Sequence, residues 1–191
     1  MSSPWQSLLA AHEAVRDPSR STAPPHAPTA AVLACSDARV PPSVVFDQPA
    51  GSLFVVRVAG NTATPAAVAS LDYAVEQLGV ELVLVLGHTN CGAVAAACAG
   101  SREPYLEPLT TTIRELVEHD ECHDPEQLAE RNVVGAVADL SASRSPVGAA
   151  IRAGSVMIQG AVYDLATDDV RPLAPNNPQP SVTVQKEQVS P

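Results

Sequence analysis

The sequence predicts an α/β fold, a mainly parallel β-sheet flanked by helices, and three features carry that expectation. Glu81-Leu-Val-Leu-Val-Leu86 is an apolar run of strand length, and it begins just after a helical pattern closes at Gly79. Two shorter apolar runs, Thr29 to Ala34 and Leu53 to Val58, precede that helix. Strands that alternate with helical segments imply crossover connections and parallel pairing.

Taken in order, Pro4 to Val15 reads as a short helix, with Trp5, Leu8, Leu9 and Val15 near one face. Asp17 to Ala30 is rich in Pro, Ser and Ala and reads as a connector. Thr29 to Ala34 is a buried strand that ends at Cys35. The Pro49-Ala50-Gly51 turn signal leads into the strand Leu53 to Val58. Thr64 caps the next helix, and Pro65 takes its first position, where a missing N–H costs nothing. Val68, Leu71, Val75 and Leu78 form its apolar stripe. The run from Glu81 to Leu86 then meets Gly87-His88, and Cys91 to Ala99 resumes as a helix of small residues. Leu109 to Val117 and Glu126 to Leu140 read as helices, a third runs from Ser145-Pro146 to Gly154, and Val156 to Val162 is the last strand. From Pro172 the chain is rich in Pro and Gln and is expected to be disordered.

Bulk properties narrow the function classes. A length of 191 residues suits one domain, and 46% hydrophobic content with only 3% aromatic requires a core of Ala, Val and Leu. The net charge is −10, with no basic run to replace counterions on phosphate, so neither nucleic acid nor an anionic membrane surface is an expected partner. Met1 to Ala10 has neither a basic start nor a long apolar stretch, which leads to the expectation of a cytoplasmic protein. In that compartment Cys35, Cys91, Cys98 and Cys122 are expected as thiols or metal ligands, not disulfides.

The chemistry concentrates at two strand ends. His88-Thr-Asn-Cys91 places an imidazole and a thiol within one turn, a spacing that suits one tetrahedral zinc; its plain alternative is a loop His beside a packed Cys. Cys35 closes another strand, and in parallel sheets functional groups gather at such carboxyl ends. Two thiolates and one imidazole make a three-ligand set with a fourth position to spare. Asp37 stands two residues after Cys35 and can reach that position, while Arg39 can hold the carboxylate through two parallel hydrogen bonds. The alternative for that pair is a solvated ion pair in a turn. His119-Asp-Glu-Cys-His123 imitates a metal cluster but falls between helical patterns and reads as a polar connector, and Cys98 and Cys122 read as spectators.

Cys35-Ser-Asp-Ala-Arg39 and His88-Thr-Asn-Cys91-Gly92 resemble the two signature motifs of the β-class carbonic anhydrases. The segment from Pro41 to Arg57, Leu71-Asp-Tyr-Ala-Val75, and Gly160-Ala-Val-Tyr-Asp164 are similar to the family as well, so the resemblance spans about residues 30–170. It implies a zinc enzyme that interconverts carbon dioxide and bicarbonate by a metal-bound hydroxide. It also implies Cys35, His88 and Cys91 as the Zn2+ ligands. Asp37 would accept the hydroxide's hydrogen, or bind zinc as a fourth ligand should Arg39 release it. Phe54, Ala59 and Tyr73 match the family's apolar pocket, although Phe54 and Tyr73 read equally well as core. Gly92 is read as allowing close approach of the helix backbone to the metal turn, and the helix dipole as favouring thiolate at Cys91.

Three positions depart from the family pattern. Val58 stands in Arg57-Val-Ala-Gly-Asn61, where an Asn is common. His26 takes the place of an anion-binding Gln, and three roles stay open for it: donor, proton shuttle near its ordinary pKa of about 6.5, or plain loop residue. Val32 replaces a Trp that helps form an inhibitory bicarbonate site in some bacterial members, so that regulation is not expected. The resemblance divides the chain into an N-terminal arm and connector (1–29), a zinc-containing catalytic domain (30–171) and a disordered tail (172–191). It further implies at least a homodimer, with the N-terminal helix lying across the partner. Two alternatives remain open at this point: a hydrolase of carbonyl sulfide or carbon disulfide on the same fold, and a non-catalytic zinc-binding module.

Overall fold

The computed structural model describes residues 3–117 and 122–174. Five strands form one sheet: β1 (Ala30–Ala34), β2 (Leu53–Arg57), β3 (Leu82–His88), β4 (Met157–Tyr163) and β5 (Val170–Pro172). Their spatial order is β2-β1-β3-β4-β5, with the first four parallel and β5 antiparallel to β4. All five residues of β1 are buried, as a central strand with both faces covered requires. Among the described residues, seven α-helices accompany the sheet: α1 (Pro4–Val15), α2 (Pro42–Val45), α3 (Pro65–Leu78), α4 (Gly92–Cys98), α5 (Glu107–Arg114), α6 (Pro125–Ala142) and α7 (Pro146–Ala153). None of the described helices is long and apolar enough to cross a membrane.

The main core lies on one face of the sheet. Ala31 and Leu33 of β1 and Val83 and Val85 of β3 meet Leu71 and Ala74 of α3, Val133 and Leu140 of α6, and Val147 and Ile151 of α7. Val32, Ala34, Leu86 and Ala161 form a smaller cluster, edged by Phe46, Leu53 and Tyr163. A third cluster, with Val40, Val94, Ile113, Leu128 and Ala129, encloses Cys35 and Cys91. Small residues dominate throughout, which follows from a chain with so few rings.

Local signals account for most boundaries. Thr64 accepts from the Ala67 amide at 3.3 Å and starts α3, which Gly79 ends in the left-handed conformation at φ 66°. Helix α7 takes its cap from a distance: Asp72 of α3 accepts from the Val147 amide at 2.9 Å, so the two helices are tied as well as packed. Pro108, tolerated only in a first turn, places α5 at Glu107–Arg114, a few residues earlier than the expected Leu109 to Val117. The short elements α2 and β5 were not anticipated. Strand β5 carries the sheet past the boundary drawn at 171: Pro172 belongs to it, and Leu173 is buried in the main core. The expected tail is described only as far as residue 174.

One expectation about cysteine is overturned. Cys98, at the end of α4, and Cys122, just before α6, form a disulfide with Cα atoms 5.1 Å apart. They are not spectator thiols; only Cys35 and Cys91 are free, and both are buried. The reason lies in packing, since α4 and α6 meet beside the site and bring together residues that are 24 positions apart. Closing a loop of that length restricts the unfolded chain by about 3.5 kcal/mol. Of the polar connector around His119, residues 118–121 lie outside the described residues.

Candidate metal centre

Sheet register places the site. Ala34 pairs with Leu86, so Cys35 lies one step beyond that rung and His88 two steps beyond it on the neighbouring strand. Cys91 then caps α4 one turn later. The ligand atoms of Cys35, His88 and Cys91 all lie within 4.8 Å of one another, and all three residues are buried.

Each donor is prepared for a cation. The Cys35 sulfur accepts from the amides of Gly60 at 3.3 Å and Asp37 at 3.4 Å, contacts that favour a thiolate. The His88 ring makes a 2.8 Å contact from Nδ1 to the Thr89 carbonyl. A carbonyl only accepts, so the proton sits on Nδ1 and the lone pair on Nε2. That Nε2 is buried and meets no hydrogen-bond partner of ordinary geometry among the described residues. Buried nitrogens are rarely left so, except where a ligand completes them.

The sulfurs of Cys35 and Cys91 are 3.9 Å apart. Two thiolates on one tetrahedral zinc, with Zn–S near 2.3 Å, stand about 3.8 Å apart, so the spacing fits. Charge gives the same answer. The hydrogen bond with Cys91 lowers Cys35 below the ordinary thiol range, while that same bond and burial push Cys91 upward, against the helix amides of Val94 and Ala93. The shared hydrogen bond leaves one proton between the two sulfurs, and a divalent ion held by Cys35, His88 and Cys91 would displace it.

Asp37 and Arg39 form the bidentate pair that the sequence suggested. Arg39 Nε donates to Asp37 Oδ1 at 2.9 Å and its terminal nitrogen to Oδ2 at 2.6 Å, while the Arg39 amide reaches Oδ1 at 3.0 Å. These bonds hold the carboxyl well below the usual carboxylate range. Asp37 is therefore engaged by Arg39 and stands outside the three-residue cluster. Arg39 also donates to the Asn90 carbonyl at 3.2 Å, which links the two motifs across the site.

Two residues that sequence reasoning did not single out complete the frame. Arg57, at the end of β2, donates to the Cys35 carbonyl at 2.9 Å and to the Asp37 carbonyl, and so fixes the turn between them. Glu126, in the first turn of α6, accepts from the Asn90 amide at 2.8 Å and supports the left-handed residue between His88 and Cys91. Neither had a readable signal, because a lone Arg at a strand end and a Glu in a helix's first turn are both commonplace.

The pocket residues divide. His26, Phe54 and Tyr73 form a row of rings, with centroids 6.4 Å apart for the first pair and 6.0 Å for the second. Tyr73 is 49% exposed, so it lines a surface and is not core. Ala59 lies in the turn Ala59–Asn61, next to the Gly60 that contacts Cys35. Gly92 corrects an expectation: a Cβ built there would meet nothing within 4 Å, so close packing does not require glycine. As the first residue of α4 it faces open space. Val58 packs at the edge of the main core and extends the ladder by donating to the Ala34 carbonyl at 3.0 Å, while Val32 is buried in β1.

A parallel sheet edge that gathers two thiols and one imidazole about a point, with a locked carboxylate alongside, defines a mononuclear zinc protein of the α/β class. Residues 30–170 match the family model described as carbonic anhydrase. Carbonic anhydrase 2 of Mycobacterium tuberculosis is 38% identical over 154 residues, which span 75% of this chain and 72% of that protein. The carbonic anhydrase of Mycolicibacterium smegmatis is 34% identical over 149 residues, 73% of this chain and 71% of that one. Among solved structures, the β-carbonic anhydrase of Aspergillus fumigatus superposes with a TM-score of 0.73 at 29% identity, covering 80% of this chain and 78% of its own. The Coccomyxa β-carbonic anhydrase in complex with acetazolamide gives 0.71 at 27% identity, covering 88% and 81%. The chain belongs to the β-carbonic anhydrase family, whose cofactor is zinc.

Proposed function

We propose that this chain catalyses the reversible hydration of carbon dioxide to bicarbonate and a proton, with Cys35, His88 and Cys91 holding the zinc. The observation that carries the reading is the buried Nε2 of His88, which meets no hydrogen-bond partner of ordinary geometry among the described residues, beside two sulfurs at the spacing of a shared zinc. Bound zinc supplies a Lewis acid and a nucleophile at neutral pH. The chain's own contribution is orientation. Asp37 is an acceptor with a fixed direction because Arg39 and the Arg39 amide hold its oxygens, so it aligns the O–H of the attacking group. Arg57 keeps the Asp37 backbone in register with Cys35. Phe54, Tyr73 and Ala59 carry no charge and are assigned here to the apolar substrate, and His26, exposed and stacked on Phe54, to the anionic product.

Stopped-flow hydration of carbon dioxide tests this reading. The zinc-loaded protein should turn over well above the buffer rate, chelation should remove the activity, and zinc should restore it. Activity indifferent to chelation, or faster turnover of carbonyl sulfide or carbon disulfide than of carbon dioxide, would overturn the assignment.

We further propose that the working unit is at least a homodimer. Helix α1 opens with a capping box from Ser3 and Gln6 yet has no buried residue, and Trp5 and Leu8 are each 67% exposed. Isolated helices of about 12 residues are marginal in water, so this one needs a surface to cover its apolar side. The outer edge of β2 is also unpaired within the sheet. Light scattering on the full chain should give twice the monomer mass or more, and a monomer would contradict the arrangement.

A further inference from the structure

We propose that Asn132 is a positioning residue for the metal centre, acting on the Cys35 sulfur through the backbone of Gly60. The inference rests on the zinc assignment above and extends it to a residue of α6 that does not touch the site. Asn132 is 5% exposed and donates from Nδ2 to the Gly60 carbonyl at 2.7 Å. Gly60 in turn donates its amide to the Cys35 sulfur at 3.3 Å. The chain Asn132–Gly60–Cys35 thus runs from a buried helix to a metal ligand in two hydrogen bonds.

The backbone at that link needs holding. Gly60 has φ 70° and Asn61 has φ 45°, two successive left-handed residues in one short turn. Such residues persist only where their surroundings fix them. A Cβ at Gly60 would fall 2.9 Å from Ile113 Cδ1, so the turn is pressed against α5 on another side. Thr62 ties the same turn to α5, donating to the Ala59 carbonyl at 3.1 Å and the Leu109 carbonyl at 3.4 Å. Among the described residues, Asn132 is the side chain that holds the Gly60 carbonyl itself. Without it, the Gly60 peptide loses its hold on the α6 side, and its amide can tilt away from the sulfur.

Helix α6 bears on the other ligand segment too. Glu126, six positions earlier, holds the Asn90 amide between His88 and Cys91. One rigid helix therefore sets both ligand-bearing turns, and Asn132 serves the one that carries Cys35.

An ordinary structural Asn would merely satisfy a buried carbonyl, so the test reads the metal. Zinc affinity of the full chain is measured by competition with a chromogenic chelator, and the cobalt-substituted protein reports the sulfur-to-metal charge-transfer band. Asn132→Val removes the donor, and the adjoining cavity of about 130 Å³, lined in part by Asn132 and Thr62, leaves room for the new side chain. The expected result is zinc binding weaker by about 10- to 100-fold. The charge-transfer band should move to longer wavelength, because a thiolate that loses an N–H donor is easier to oxidise. Leu140→Ala, in the main core far along the same helix, serves as control: it should lower thermal stability and leave both readouts in place. Should Asn132→Val fail to fold, Asn132→Ser, whose hydroxyl is too short to reach the carbonyl, is expected to show the same weakening. Affinity within twofold of wild type with an unmoved band overturns the role, as does equal weakening in Leu140→Ala. A wild-type chain that binds no zinc would overturn the metal assignment itself, a different failure from a wild type that Asn132→Val merely equals.

Discussion

Cys35→Ser is expected to leave the protein without tightly held zinc and to bring carbon dioxide hydration to the background rate, a loss of at least about 10⁴-fold on the scale of enzymatic accelerations. The sulfur is buried at the end of β1 and accepts two amide hydrogens that prepare it as an anion. A serine hydroxyl is shorter, does not ionise at neutral pH and leaves only His88 and Cys91 as donors. Metal content and stopped-flow rates measured on one preparation check the result together. Folding should suffer as well, since a metal that binds only the folded chain contributes to its stability. A serine variant that hydrates carbon dioxide within tenfold of wild type would remove Cys35 from the site.

Arg39→Ala is expected to lower kcat/KM by about 10²- to 10³-fold, the usual effect of losing one preorganised polar contact at a reacting centre. Charge is not what changes. Arg39 holds the Asp37 carboxyl below its ordinary range, and without Arg39 it returns toward about 3.9, so at pH 7 the carboxylate is ionised in both proteins. Any loss of rate at neutral pH must therefore come from direction: Asp37 is free to turn onto the metal or away from the nucleophile. The stability arm has a definite sign. A carboxyl lowered in the folded state stabilises the protein above the unfolded value near 3.9, and that contribution is lost as pH falls below it. Wild type should accordingly be the more stable at neutral pH, by a small margin because the Arg39 side chain is 54% exposed and such pairs contribute little, and the two should converge in acid. Arg39→Lys keeps the charge but not the fork and should fall between the two. Wild-type kcat/KM in Arg39→Ala would sink this account of the pair, and X-ray absorption at the zinc would tell a carboxylate turned onto the metal from one turned away.

Much of this arrangement could be read before any fold was known, and the reasons are local. Strands β1 and β3 announce themselves because a strand buried on both faces must be a continuous apolar run. Helix α3 is bounded by residues whose backbone chemistry decides a start and a stop. The ligand set is legible because His88 and Cys91 share a turn and Cys35 ends a strand. What escaped was long-range. Whether Cys98 finds Cys122, 24 positions away, depends on how α4 and α6 pack, and nothing in the intervening sequence encodes that meeting. Arg57 acts on the carbonyls of Cys35 and Asp37 only because β2 lies beside β1 in register. Strand β5 is three exposed residues held by its neighbour, too short for any alternation to show. Gly92 was misjudged for a related reason: a glycine's purpose is set by what stands opposite, and here nothing does.

The four cysteine sulfurs of this chain ask opposite things of whoever purifies it. Cys98 and Cys122 fasten the far end of α4 to the approach of α6 only while oxidised, whereas Cys35 and Cys91 coordinate only while reduced. A buffer loaded with dithiol protects one pair and unlatches the other. Supplying metal early, in a solution free of thiol reagents, satisfies both, because coordination engages a lone pair of each sulfur and lowers its reactivity toward an oxidant.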